Sequence, residues 1–238
     1  PRAEKFPVRT RRPRRMRRTR KSQSKTKMPR ALFLCSGTGS VGRPFREAGG
    51  EVVDVDRDGR FGAEVVVDTL TWDYRAAFPP GHFDVVWASP DCTQYSAART
   101  TAKTPRDLEG ADALVAKCIE IMAYLAPRLW FLENPDSGLL KTREVVAGLP
   151  YVRVDYCAYG APYRKRTRIW TNATGWTPRL CDRSHLVDGA HAKTAQRRCG
   201  KVRGERRADD RCTLDELHAL PRGLCEEILA VCEPHDGP

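Results

Sequence analysis

The chain has 238 residues, a net charge of +12 and nine cysteines. No apolar run approaches the roughly 18 residues of a membrane-spanning helix, so the sequence predicts no membrane association. Residues 1–30 contain fourteen Lys or Arg and one acid, Glu4, which leaves the rest of the chain with a net charge of −1. The basic charge therefore belongs to a tail and not to the folded body.

The basic tail has almost nothing apolar to bury, and we expect residues 1–30 to be disordered. Its arginines would bind phosphates or serve as a nuclear or organellar targeting signal. Alternatively, most of the tail does not belong to the natural protein, because Met28, a possible start, stands just before the first apolar run. The cysteines lie in apolar segments with no signal peptide ahead of them, so we expect reduced thiols and an intracellular location, in the nucleus, nucleoid or cytoplasm.

Short β-branched runs alternate with helical segments after the tail. Seven strands are predicted, at 31–35, 51–56, 63–68, 83–89, 129–134, 151–160 and 167–173. The clearest helix covers 107–126, where apolar residues recur at helical spacing and Pro127 ends the pattern. The last two strands are expected to form an antiparallel pair. This pattern predicts an α/β fold with a doubly wound, mostly parallel sheet and an antiparallel closing hairpin.

The sequence divides into four segments. A core at 31–170 follows the tail, and residues 171–212 form a loop-rich insert with few apolar anchors. The remaining segment, 213–238, contains a predicted helix at 220–232 that returns to the core.

Glycines and acids follow the first three predicted strands. Gly37 and Gly39 come directly after the first strand, where they allow close approach of the backbone to a ligand. Asp56 ends the second strand, the usual place of a partner for ribose hydroxyls, and Asp68 ends the third. These features favour a nucleoside-type cofactor. The absence of a GxxxxGK[ST] motif argues against a nucleoside triphosphatase, whereas a dinucleotide dehydrogenase stays open from these residues alone.

Reactive side chains follow the later strands. The stretch SPDCTQYS places Cys92 after the fourth strand, at the edge where open α/β sheets bind ligands. LWFLENP ends the fifth strand with Glu133, an acid that closes a buried run. YGAPYRKRTRIW carries Arg164, Lys165, Arg166 and Arg168. Since side chains alternate along a strand, half of these basic residues are expected on a solvated face.

Together, the Gly-rich loop, the cysteine, Glu-Asn and the Arg cluster resemble the cytosine-5 DNA methyltransferase family, in that family's motif order over 31–170. The resemblance implies a class I S-adenosylmethionine-dependent methyltransferase fold, and methylation of carbon 5 of a cytosine flipped out of DNA. RNA is an alternative substrate, and we expect a monomer. The implied catalytic residues are the nucleophile Cys92, Glu133 on the base, and Arg166 and Arg168 on its opposite edge. The implied cofactor-binding residues are Leu34, Cys35, Ser36, Gly37, Gly39, Asp56, Asp68 and Pro90.

The sequence departs from the family pattern at two places. Asp91 stands where the family has Pro before the cysteine, and its carboxylate disfavours a thiolate. A catalytically impaired nucleic-acid binder is therefore the alternative function. In the family's Gln-x-Arg-x-Arg pattern, aligned from RIW, the Gln position falls on Arg164, with Tyr163 as one extra residue before it. The insert occupies the place of the family's target-recognition region.

The insert and its neighbourhood also contain residue types that bind zinc: Cys181, His185, His191, Cys199 and Cys212. Their spacing contains no compact C-x-x-C pair, so the sequence predicts no metal site. The other thiols are expected to pack in the core: Cys35, Cys118, Cys157, Cys225 and Cys232.

Overall fold

The computed structural model describes residues 28–99, 102–193, 195 and 212–233. Within these ranges, seven strands form one sheet in the order β3-β2-β1-β4-β5-β7-β6. The strands are β1 (Ala31–Leu34), β2 (Val52–Asp56), β3 (Val65–Val66), β4 (Val85–Ala88), β5 (Leu129–Pro135), β6 (Tyr151–Asp155) and β7 (Arg166–Thr171). The predictions for most of the basic tail and for Cys199 lie outside the described residues.

Strand directions confirm the predicted α/β fold. Strands β1 to β5 pair in parallel, and β7 runs antiparallel to both of its neighbours, β5 and β6. All residues of β1 and β4 are buried, as expected for central strands covered on both faces. The order of the strands reverses between β1 and β4, and ligands of open α/β sheets bind at such a switch point.

Five α-helices lie among the described residues: α1 (Gly42–Glu47), α2 (Tyr74–Ala77), α3 (Leu108–Leu125), α4 (Leu214–His218) and α5 (Arg222–Cys232). The long helix α3 confirms the prediction for 107–126. It begins at Asp107, whose side chain accepts a hydrogen bond from Gly110 N, and ends at Ala126 in a left-handed conformation. The short helix α4 was not predicted, because one turn is too short for a recognisable periodicity.

Two hydrophobic clusters cover the two faces of the sheet. On one face, Phe33 and Phe131 pack with Phe45 of α1 and Ile228 of α5. On the other face, buried residues of the strands pack against α3, including Ile121. Helices on both faces make the sheet doubly wound, as predicted.

The insert is loop-rich where the structure describes it. Between residues 172 and 193, the described backbone contains one isolated bridge, Val187 with Ala190, and neither helix nor strand. The division of the chain into four segments stays a prediction. Every helix in the described ranges is too short or too polar to span a lipid bilayer.

Candidate active site

The glycine-rich loop leaves β1 at the carboxyl edge of the sheet. Cys35, Gly37 and Gly39 all have positive φ, of 51°, 51° and 64°. A Cβ atom built at Gly37 would meet no atom within 4 Å, so the space above this loop is open. The positive φ at Gly37 is what favours glycine there. Ser36 N donates to Val55 O (3.2 Å) and thereby ties the loop to β2.

Asp56, at the end of β2, holds this loop. Its carboxylate accepts hydrogen bonds from Gly37 N (2.8 Å) and Asp58 N (2.8 Å), one on each oxygen. Each oxygen keeps a second lone pair for a ligand hydroxyl. Asp68 is exposed beyond β3, and its Oδ1 accepts from Leu70 N (2.9 Å).

Three other predicted cofactor residues make contacts within the protein itself. The side chain of Leu34 is fully buried in the core, and its carbonyl accepts from Ser89 N (3.1 Å). Pro90 is buried as well, and its carbonyl accepts from Asn134 Nδ2 (3.0 Å). The Cys35 thiol lies 3.8 Å from Thr69 Oγ1 at the end of β3.

Cys92 lies four residues beyond β4, half-buried. Burial raises the pKa of its thiol to about 11, and the nearby charge of Lys165 opposes this rise. The carboxylates of Glu133 and Asp91 add to the rise. Asp91 itself is exposed and caps the turn, since its Oδ1 accepts from Thr93 N (2.8 Å). The free protein therefore holds Cys92 as a thiol at neutral pH.

Glu133 lies near the end of β5, on the neighbouring strand, with only 7% of its surface exposed. Burial raises the pKa of its carboxyl, whereas Lys165, Ser89 and Tyr156 oppose the rise. Tyr156 Oη donates to Glu133 Oε1 (3.4 Å). A buried carboxyl with a raised pKa can donate a proton to a bound ring nitrogen.

Lys165 is the cation that accompanies this pair. Its Nζ lies 4.9 Å from the centre of the Tyr156 ring and donates to Leu217 O (2.7 Å) in α4. The pKa values of Cys92 and Glu133 are both lowered by its charge. We call Cys92, Glu133, Tyr156 and Lys165 the reactive cluster.

The structure does not bring Arg166 and Arg168 to the reactive cluster, and their roles on the base stay a prediction. Arg166 donates through Nε (3.0 Å) and Nη2 (2.6 Å) to the buried carboxylate of Asp155. Arg168 donates through Nε to Asp136 Oδ1 (2.8 Å), and its guanidinium lies 3.9 Å from the centre of the Tyr151 ring. Both arginines are thus engaged in ion pairs away from Glu133.

Strand alternation is the physical reason. Ile169 and Thr167 of β7 are buried on the face of the sheet that carries Phe131 and Tyr156, and Glu133 shares that face with Phe131. Arg168 shares the opposite face with Trp170, 5.7 Å from that ring. Counting back from Ile169 in steps of two gives Thr167 and then Lys165, so Lys165 lies on the same face as Glu133.

The loop after Cys92 is held by its own hydrogen bonds. Arg106 Nη2 donates to Ser96 O (2.9 Å), and Tyr95 Oη donates to Asp112 Oδ1 (2.7 Å) at the start of α3. Arg99 donates to Thr104 O (2.9 Å). Arg99 and Arg106 therefore brace this loop.

Sequence reasoning assigned no role to Lys165, near Cys92 and Glu133, to Tyr156, which bonds Glu133, or to His218, near Lys165 and Asp91. Burial and Lys165 lower the pKa of His218, and Asp91 opposes this, so α4 lies beside the site. Lys165 alternates with Thr167 and Ile169 along the chain, and this alternation was the sequence signal that places Lys165 on their face. No local pattern could place His218, which is far away in sequence.

A second group of side chains gathers near the hairpin of β6 and β7. It consists of Cys157, Cys181, His185 and His191. The prediction of no metal site did not include Cys157 among the ligand types and assigned that thiol to the core. The structure brings it to three members of the insert.

Comparison with known proteins supports the resemblance. No protein-family model matches the chain. A protein of Frog virus 3 (isolate Goorha), named "Probable DNA (cytosine-5)-methyltransferase", is 40% identical over 164 residues, which are 64% of this chain and 74% of the viral protein. A solved structure of a DNA modification methyltransferase encoded within an E. coli prophage is 18% identical, with a TM-score of 0.43. That match covers 60% of this chain and 45% of the prophage protein, so this chain spans less than half of that protein's length.

The identity to the viral protein extends over most of its length and is too high for a shared fold alone. It agrees with the motif order that carries Cys92 and Glu133. The chain belongs to the DNA (cytosine-5)-methyltransferase family.

Proposed function

We propose that this chain transfers a methyl group from S-adenosylmethionine to carbon 5 of cytosine in DNA, through a covalent adduct with Cys92. The observation that supports this most is the pairing of a half-buried Cys92 with the buried Glu133 at the ends of neighbouring strands. Both lie beside the switch point between β1 and β4, where the glycine-rich loop begins.

The residues of the glycine-rich loop fit the proposed cofactor. The open space at Gly37 would admit a ligand close to the backbone, and Asp56 would accept hydrogen bonds from ribose hydroxyls. Asp68 and the backbone of Cys35 and Ser36 would complete the site. When bound, S-adenosylmethionine supplies an electrophilic methyl group for carbon 5.

The chemistry of cytosine explains the reactive cluster. Carbon 5 is a weak nucleophile until a thiolate adds to carbon 6, so the Cys92 thiol first loses its proton to solvent. Its sulfur then bonds to carbon 6 while Glu133 donates a proton to N3, and carbon 5 becomes the nucleophilic end of an enamine. After methylation, carbon 5 loses its proton to solvent, the bond from carbon 6 to sulfur breaks, and the N3 proton returns to Glu133.

Lys165 would take the electrostatic role that the family resemblance gave to arginine. Its ammonium lowers the pKa of Cys92 and would hydrogen-bond the carbonyl of the bound ring. Lysine is a point charge without the paired donors of a guanidinium, so this contact would be less directional.

A trapping experiment tests the proposal. Duplex DNA with 5-fluorocytosine is incubated with the full chain and S-adenosylmethionine, because fluorine at carbon 5 blocks the release of sulfur. We expect a protein–DNA adduct that survives denaturation, disappears with Cys92→Ala and persists with Cys232→Ala, a buried thiol at the end of α5. Bound DNA without an adduct would refute the covalent route, and an adduct on RNA alone would change the substrate.

A second candidate function is a methyltransferase-like protein that binds nucleic acid without covalent chemistry. The pKa of about 11 at Cys92, which burial, Glu133 and Asp91 all raise, favours it. The same trapping experiment decides between the two. The substitution Asp91→Pro would increase the adduct yield if the Asp91 carboxylate slows the attack of Cys92 on carbon 6.

A further inference from the structure

Four side chains outside the reactive cluster converge on one point. Each offers one ligand atom, and all four atoms lie within 4.8 Å of one another: those of Cys157, Cys181, His185 and His191. Cys181 Sγ lies 3.6 Å from His191 Nε2 and 3.9 Å from His185 Nε2. We call this group the Cys2His2 cluster.

The two Cys181–His separations are close to those of a tetrahedral site, and the widest separation, within 4.8 Å, would shorten by about 1 Å around an ion. Zn–S bonds of about 2.3 Å and Zn–N bonds of about 2.0 Å at tetrahedral angles put ligand atoms roughly 3.3 to 3.8 Å apart. The donors are two sulfurs and two imidazole nitrogens, with no carboxylate oxygen, a set that suits zinc and not magnesium or calcium. We propose that the Cys2His2 cluster binds one zinc ion that holds the insert against the hairpin of β6 and β7.

The backbone of the insert is built to bring the histidines together. Val187 and Ala190 exchange backbone hydrogen bonds of 3.1 and 3.0 Å around Asp188 and Gly189, both with positive φ. This is a tight two-residue turn of the Asp-Gly type, which reverses the chain. His191 returns beside His185, with ring centres 5.2 Å apart.

The other ring nitrogen of His185 lies near a carboxylate. Its Nδ1 is 4.0 Å from Asp182 Oδ1, within ion-pair distance but too far for a hydrogen bond. A carboxylate that closes this gap when the metal binds would orient the imidazole and leave Nε2 for the metal. The spacing of the histidines, H-x5-H, also falls within the H-x3–5-H range of structural zinc sites.

The first ligand comes from another part of the fold. Cys157 is buried in the short 3-10 helix Tyr156–Tyr159 that follows β6. Cys181 N donates to Asp155 Oδ2 (3.0 Å), and Asp155 N donates to Arg179 O (3.3 Å), so the insert already docks beside it. The cluster thus ties a distant loop to the sheet.

The part of the insert that carries the cluster, residues 180–191, buries little apolar surface. Leu180 and Val187 are 49% and 73% exposed, so they add little apolar burial. With all four ligands from the chain, the site is closed and structural, leaving no position for a substrate. It is independent of the proposed methyl transfer.

Metal content tests this inference. The full chain is purified from zinc-supplemented culture under reducing conditions without chelators, and zinc is measured by plasma mass spectrometry. We expect one zinc per chain, and a loss of about tenfold or more in Cys181→Ser and in His185→Asn, a change at an exposed side chain. The matched controls, His82→Asn and Cys92→Ala, should retain zinc, although Cys92→Ala abolishes the adduct described above.

Two further measurements complete the test. Cobalt(II) in place of zinc should give the visible bands of tetrahedral coordination and thiolate charge transfer, both absent in Cys181→Ser. Trypsin should cut faster at Arg183 after zinc is removed. The inference is overturned by a wild-type chain without zinc, by zinc contents of Cys181→Ser and His185→Asn equal to that of the wild type, or by a Cys157–Cys181 disulfide in the non-reduced protein.

Discussion

The protonation of one thiol controls the proposed chemistry. Cys92 has a pKa of about 11, so only a small fraction is thiolate at neutral pH. Burial is the main cause and Lys165 is the main opposing charge. The reactivity of Cys92 should therefore follow the charge at position 165.

We predict that Lys165→Met slows the alkylation of Cys92 by iodoacetamide roughly 3- to 10-fold, because loss of the ammonium raises the thiol pKa further. Lys165→Arg retains the charge and should stay near the wild-type rate. The measurement is mass spectrometry of the Cys92 peptide over a range of pH, where the rate should rise about tenfold per pH unit below the pKa. Equal rates in Lys165→Met and the wild type would contradict the role of the ammonium.

The buried carboxyl of Glu133 predicts a trade-off between activity and stability. Its folded pKa is raised above the ordinary value of 4.5, so stability is lost as pH rises through the folded pKa. Glu133→Gln should raise the Tm at pH 8, change it little below the ordinary pKa, and reduce methyl transfer by about 100-fold or more. Differential scanning calorimetry and a methylation assay measure the two effects.

The exposed Glu144→Gln is the control for Glu133→Gln and should change neither quantity. A lower Tm at pH 8 in Glu133→Gln, with full activity, would show that the carboxylate is structural.

At this scale, the sequence singled out Cys92 and Glu133 because one lies just beyond a buried strand and the other near the end of one. It did not single out Lys165, because the order of a motif does not show which residues share the face of Glu133. Those faces follow from the register of β7 against β5, where Glu133 pairs with Ile169.

The hairpin of β6 and β7 is held at its turn end by Asp155. This carboxylate is fully buried and accepts from Arg164 Nε (3.2 Å), Arg166 and Cys181 N. Burial alone would raise the pKa of Asp155, but these hydrogen bonds, from Arg166 first, lower it below its ordinary value. Asp155 thus links the start of β7 to the insert.

We predict that Asp155→Asn lowers the free energy of unfolding by about 2 kcal/mol at neutral pH, because partly solvated arginines lose a buried partner. A lowered pKa contributes stability above the unfolded pKa, which is lost as pH falls through the folded pKa. The difference between variant and wild type should therefore shrink in acid, as urea denaturation at two pH values would show.

Asp58→Asn, in the exposed ion pair with Arg60, is the control and should have little effect. If Asp155→Asn were as stable as the wild type at neutral pH, Asp155 would not be the link described.

At the scale of elements, strands could be predicted from their buried runs and α3 from its periodicity. β3 spans only Val65–Val66 in place of the predicted 63–68, since it pairs only with β2 at the edge of the sheet. The one-turn helix α4 depends on its capping box, Thr213 with Glu216, and on contacts with the β6–β7 hairpin. Local patterns do not contain such tertiary contacts.

Over the whole molecule, the C-terminal segment closes the fold. Leu220 N donates to Ser40 Oγ (3.0 Å) in the loop before α1, and Arg222 pairs with Glu47 (2.8 Å) at the end of α1. Ile228 of α5 is fully buried on the face of the sheet that carries Phe131. The last helix therefore completes the core under the glycine-rich loop.

We predict that Ile228→Ala destabilises the protein by about 3 kcal/mol, because it leaves a cavity beneath the sheet. The half-buried Val231→Ala, one turn further along α5, should cost at most about 1 kcal/mol. Urea denaturation measures both. Equal losses would mean that α5 packs with no preferred face.

The turn between β6 and β7 limits how the reactive cluster can vary. Because β7 presents alternate residues to opposite faces, a one-residue slip that brought Arg166 to the face of Glu133 would also turn Thr167 and Ile169 out of the core. Substitution of Lys165 itself is therefore the route by which selection could change the charge beside Glu133 without disturbing the sheet.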